Sequence, residues 1–92
     1  MTQEEAFALA IRYIGDKGVT HYGCHSIHIL SDFEMHGRSF EVEPDFPRGF
    51  RSKVWCFYFA LIEPEPNTVV SGGDYVVFID DETGSCGCTV TI

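Results

Sequence analysis

The chain is poor in positive charge. Among its 92 residues only six are Lys or Arg, against fourteen Asp and Glu, for a formal net charge of −8. From Val54 to Ile92 there is no Lys, Arg or His. Nucleic-acid surfaces are led by Lys and Arg, and so are surfaces that bind anionic membranes, so neither partner is expected. An acidic chain suits a basic protein or a cation instead. It also lacks any apolar run near the roughly 18 residues of a membrane-spanning helix. Its first residues, Met1-Thr2-Gln3-Glu4-Glu5, lack the basic region of a signal peptide. A cytoplasmic location is therefore expected, with Cys24, Cys56, Cys86 and Cys88 reduced. No GxSxG, P-loop or GxGxxG motif occurs.

What is present describes one small globule. A hydrophobic fraction of 45% is ordinary for a folded protein, and residues 1–92 read as a single domain. Residues 2–14 have the pattern of a helix. Thr2 and Glu5 fit a capping box, in which a hydroxyl and a carboxylate each satisfy the other residue's backbone N–H. Phe7, Ala10, Ile11 and Ile14 recur at helical spacing, and Gly15 and Gly18 supply the stop.

Strand patterns follow. Residues 26–30 and 40–43 are short candidates, and 44–52 read as a loop. Residues 53–62 are the clearest strand, with Trp55, Phe57, Phe59 and Leu61 alternating against Val54, Cys56, Tyr58, Ala60 and Ile62. Both sets are apolar, which predicts a central strand. Residues 74–79 and 85–92 are joined by Asp80-Asp81-Glu82-Thr83-Gly84 and predict a hairpin. One helix followed by four or five antiparallel strands predicts a two-layer α+β fold, the helix lying across one face of a curved sheet.

Candidate chemistry is sparse. Cys24, His25, Cys86 and Cys88 could form a metal-binding module, although their spacing is not a standard zinc pattern. Cys86 and Cys88 alternate with Gly87 along a strand, which predicts small core residues instead. Cys24 and His25, the nearest nucleophile–base pair, should point to opposite faces of a strand. No cofactor and no enzymatic activity are expected. Carboxylates 80–82 are expected to be exposed on a tight turn. Phe46 and Phe50, beside Pro47, Arg48 and Arg51, are expected as exposed loop aromatics of the kind that protein interfaces enrich.

Three features carry a family resemblance: the opening helix Glu5-Ala6-Phe7-Ala8-Leu9-Ala10-Ile11-Arg12-Tyr13, the strand Val54-Trp55-Cys56-Phe57-Tyr58-Phe59, and the run from Gly72-Gly73 through Phe78-Ile79 to Thr83-Gly84. In this order they resemble the small bacterial immunity proteins of the immunity protein 35, or YrhB-like, type. That resemblance implies a cystatin-like fold and a protein that binds and neutralises a cognate bacterial toxin. An acidic face would occlude a basic cleft. The residues expected at that interface are Glu63, Glu65, Asp80, Asp81 and Glu82, with Phe46 and Phe50 as apolar anchors. Thr68-Val69-Val70-Ser71-Gly72 also resembles the Gln-x-Val-x-Gly hairpin of cystatins, which would imply cysteine-protease inhibition. The Pro-Trp of the second cystatin hairpin is replaced here by Asp80-Asp81-Glu82-Thr83-Gly84.

Overall fold

The structure is a computed structural model, and it describes residues 1–31, 41–44, 46, 53–62 and 73–91. One helix, α1 (Gln3–Asp16), precedes five strands: β1 (Cys24–Leu30), β2 (Glu41–Val42), β3 (Val54–Ala60), β4 (Asp74–Asp80) and β5 (Cys86–Thr91). The strands form one antiparallel sheet in the order β1-β3-β4-β5-β2. The helix packs on one face of it, mainly over β4 and also over β3 and β5. This is the α+β arrangement expected. No helix among the described residues is long and apolar enough to cross a membrane.

The helix begins as its sequence predicts. The Glu5 N–H donates to Thr2 Oγ1 at 3.2 Å, and the Thr2 N–H donates to Glu5 Oε1 at 2.9 Å. It ends later than Gly15, whose backbone stays helical. Gly18 takes φ 68° and makes the stop. There Gly18 N–H donates to Gly15 O at 3.0 Å and Val19 N–H to Ile14 O at 3.3 Å. These two bonds form a Schellman motif, with Val19 packed beside the core that holds Ile14.

The sheet is apolar on both faces. Beneath the helix, Trp55, Phe57 and Phe59 of β3 join Tyr75, Val77 and Ile79 of β4, and Cys86 and Cys88 of β5. On the opposite face Val54, Cys56, Val76 and Phe78 pack with Phe46, flanked by Val42 and Tyr58. Residues 54–60 therefore alternate as expected. At the far edge, Gly87 lets β2 close against β5. A Cβ there would stand 2.7 Å from Val42 Cγ1 and 3.2 Å from the Glu41 carbonyl oxygen.

Two expectations about packing fail. The buried helix residues are Ala6, Ala10, Tyr13 and Ile14, while Phe7 and Ile11 sit on the exposed flank. Two alanines under the helix allow its backbone close to the sheet, and the larger side chains fall to one side. Phe7 still touches the core edge, its ring centroid 5.6 Å from that of Phe57. The second failure is Phe46, expected to be exposed but only 4% accessible. The face of β3 and β4 away from the helix needs a cover, and Phe46 is part of it.

The contrast gives a test. Phe57→Ala should lower the unfolding free energy by about 3–5 kcal/mol, and Phe7→Ala by clearly less. Urea denaturation monitored by circular dichroism measures both.

Candidate functional site

The acidic turn between β4 and β5 divides into an internal and an external part. Asp80 is buried, at 1% exposure. Its carboxylate accepts the Thr83 N–H at 3.0 Å and the Thr83 hydroxyl at 2.8 Å. Its carbonyl accepts the Gly84 N–H at 2.8 Å, and Gly84 takes φ 73°. Asp80 thus shapes the turn from within, where an exposed carboxylate was expected. An Asp bonding forward to the backbone of its own turn is a common local device, and the Asp-x-x-Thr spacing could have signalled it.

Asp81 is also engaged. Trp55 Nε1–H donates to its Oδ1 at 2.9 Å, with Lys53 Nζ at 3.8 Å and the Met1 amino group at 3.7 Å. The indole bond, followed by Lys53 and the amino group, holds the Asp81 carboxyl below its ordinary range. Lys53 Nζ lies 5.0 Å from the Trp55 ring centroid as well. Glu82 is exposed at the turn's tip. Glu4 and Glu5, in the exposed first turn of the helix, share this end of the molecule with Asp81 and Glu82. Glu5 is held below its ordinary range by the Thr2 backbone N–H and hydroxyl. Of the other anticipated interface residues, Glu63, Glu65 and Phe50 lie outside the described residues, as does the Thr68–Gly72 motif.

A second polar constellation was not anticipated. The pairing of β1 with β3 shifts register between Cys24 and Ser26, a bulge at His25. His25 Nε2 bonds Asp74 Oδ1 at 2.9 Å, and Nδ1 bonds Ser26 Oγ at 2.9 Å. Asp74 lies two strands away, and the intervening residue opposite it on β3 is Ala60. The imidazole thus ties the outer strand to β4. Nothing in the spacing of residues 25, 26 and 74 announces this cluster, because it requires both the bulge and the strand order.

The cysteines are spread across the sheet. Cys24 is on β1 and Cys86 and Cys88 are on β5, with β3 and β4 between them. Three strand spacings amount to roughly 14 Å, too far for one tetrahedral ion. The metal module is therefore not assembled. Among the described residues no group of three His, Cys, Asp or Glu side chains could hold a metal ion. Cys88 has a different role. Its Sγ accepts the Tyr75 hydroxyl at 2.9 Å and the Tyr13 hydroxyl at 3.6 Å, linking helix to sheet. Burial, and then the bond to Cys88, pushes both phenols well above their ordinary pKa. Burial alone pushes the Cys56 thiol up to about 12. Half-buried Cys24 is raised too, chiefly by burial.

Among the described residues, surface hollows lie on both flanks of the helix. One, of about 250 Å3, runs between the helix and the β5 side, lined by Leu9, Arg12, Tyr13, Asp16, Glu43 and Cys86 among others. Lys17 bonds Glu41 beside it. The other, of about 300 Å3 and mostly apolar, lies between the helix and β1, lined by Gln3, Glu4, Phe7, Cys24 and Ile27. In comparisons with family models, curated proteins and solved structures, nothing matches this chain.

Two measurements follow from these assignments. In the native protein iodoacetamide should alkylate Cys24 first. Cys56, Cys86 and Cys88 should react only on unfolding, as read by peptide mass mapping. Because the Asp81 pKa is depressed on folding, its contribution to stability is complete above the ordinary Asp value. It is lost as pH falls through the lower folded value. Asp81→Asn should therefore flatten the loss of stability below about pH 4, followed by thermal melting across an acid series.

Proposed function

We propose that this chain is a non-enzymatic immunity protein that binds a basic protein toxin and neutralises it by covering the toxin's active cleft. The supporting observation is the arrangement of charge at one end of the molecule. Glu4, Glu5 and Glu82 are exposed there. The basic groups nearby, Lys53 and the Met1 amine, are turned onto Asp81. These exposed carboxylates stand on a platform set by the capping box and by the Asp80 turn. Rigid like-charged groups steer an oppositely charged partner and raise the association rate more than they lower the dissociation rate. The resemblance to immunity proteins supplies the class of partner, and the chain's net charge of −8 supplies its sign.

This reading revises which acidic residues make contact. Asp80 is internal, so the exposed Glu82 presents the turn's charge at the surface, joined by Glu4 and Glu5. The test starts by purifying the tagged protein from its host and identifying a stoichiometric partner. That partner should be basic, should be toxic when expressed alone, and should lose its toxicity on co-expression. Reversing Glu4 and Glu82 to Lys should slow association about tenfold at low salt, with the difference closing at high salt. A partner that is harmless alone, or association unchanged by both reversals, would overturn the proposal.

A further inference from the structure

The outer strand β1 is unusual for an edge. Proteins discourage edge-to-edge pairing with charged residues, prolines or very short strands. Residues 24–30, Cys-His-Ser-Ile-His-Ile-Leu, contain no Asp, Glu, Lys, Arg or Pro. The strand is seven residues long. The other outer strand, β2, follows the rule: it has two residues, one of them Glu41.

The face of β1 on the helix side is also uncovered. Ile27 stands opposite Phe57 and Ile29 opposite Trp55, so both isoleucines continue the floor beneath the helix. The helix, however, sits over β3, β4 and β5. Ile27 remains 39% exposed and Ile29 53%. Phe7, on the helix flank beside this shelf, is 37% exposed. Phe7 and Ile27 line one hollow between helix and strand, and among the described residues no strand pairs with the outer side of β1.

We propose that this edge pairs with the same edge of a second copy, joining two sheets across a two-fold axis. Electrostatics favours that occupant. A chain of net charge −8 resists self-association wherever carboxylates face one another. The strand β1 carries no Asp, Glu, Lys or Arg, so the paired strands themselves set no carboxylates against one another. The order of residues is self-complementary as well. With antiparallel pairing centred on His28, Ile27 of one copy faces Ile29 of the other, twice by symmetry, on the helix side of the joined sheet. His28 faces its own counterpart on the opposite side, where it already lies against Tyr58 at 5.2 Å between ring centroids. A two-fold axis requires such a self-complementary patch. Cross-strand pairs of β-branched residues are among those that stabilise antiparallel pairing. The acidic turn beyond β4 is not part of this edge, and the inference does not depend on the function proposed above.

Sedimentation equilibrium over a wide concentration range tests the pairing. The wild-type chain should dimerise reversibly. Ile29→Lys should weaken dimerisation by roughly a hundredfold or more, since the two-fold places the change twice in the interface. Val90→Lys changes a residue on β5 that is 54% exposed, and should leave dimerisation unaltered. Hydrogen–deuterium exchange of the unmodified protein gives a measure that needs no variant: β1 amides should gain protection as concentration rises. A chain that stays monomeric up to its solubility limit, whether or not a foreign peptide strand binds it, overturns the proposal. So does a dimer that Ile29→Lys leaves intact, or protection confined to other strands.

Discussion

Val54, Cys56, Val76 and Phe78 face away from the helix, yet they are as buried as the residues beneath it. A strand pair that is apolar on both sides has no stable place at a surface, because each large side chain left in water forfeits about 1.5–3 kcal/mol. Both faces of β3 and β4 must therefore be covered, and the rest of the fold follows. The helix covers one side. Its alanines at 6 and 10 let it approach closely, and the two tyrosine hydroxyls on Cys88 satisfy the polar atoms this brings inside. The other side is covered by Phe46 and Val42, held in place by β2 pairing with β5. Gly87 permits that pairing by leaving room for Val42.

Charge is sorted by the same architecture. Carboxylates close to the core are used within it: Asp80 forms its turn, Asp81 holds Trp55 and Lys53, and Asp74 orients His25. Glu4, Glu5 and Glu82 are exposed at the helix start and the turn tip. The sheet's two edges differ in kind. One is short and acidic, the other long, uncharged and apolar on its helix side. The acidic end and the neutral edge thus offer two surfaces of different chemistry.

The layout of the fold was legible from local patterns. Thr2 and Glu5 marked the helix start, the alternation of residues 54–60 marked a central strand, and residues 80–84 marked the hairpin turn. What local patterns did not reveal depended on neighbours distant in the chain. On the helix, Ala10 and Ile14 are buried as their spacing predicts, but Phe7 and Ile11 give way to Ala6 and Tyr13, an exchange that depends on where the sheet lies. Phe46 looks like an exposed loop aromatic because its cover over Val54, Cys56, Val76 and Phe78 joins segments distant in the chain. Asp80 was judged by its charged neighbours, when its bonds to Thr83 take it inside. The His25 cluster joins residues 49 positions apart through a bulge, and no short-range signal encodes it.

The strand order also carries a kinetic meaning. β4 and β5 are separated by a five-residue turn with its own internal bonds, whereas β1 reaches β3 across residues 31–53. Loop-closure entropy grows with the length of chain to be closed, so short-range pairings form first. The hairpin is therefore the natural nucleus, and β1 is among the last pieces to dock. Until it does, the edge of β3 lies open, with Trp55, Phe57 and Phe59 along it. A newly made chain passes through a stage that is stickier than its finished form, and the speed with which residues 24–30 find their place limits how long that stage lasts.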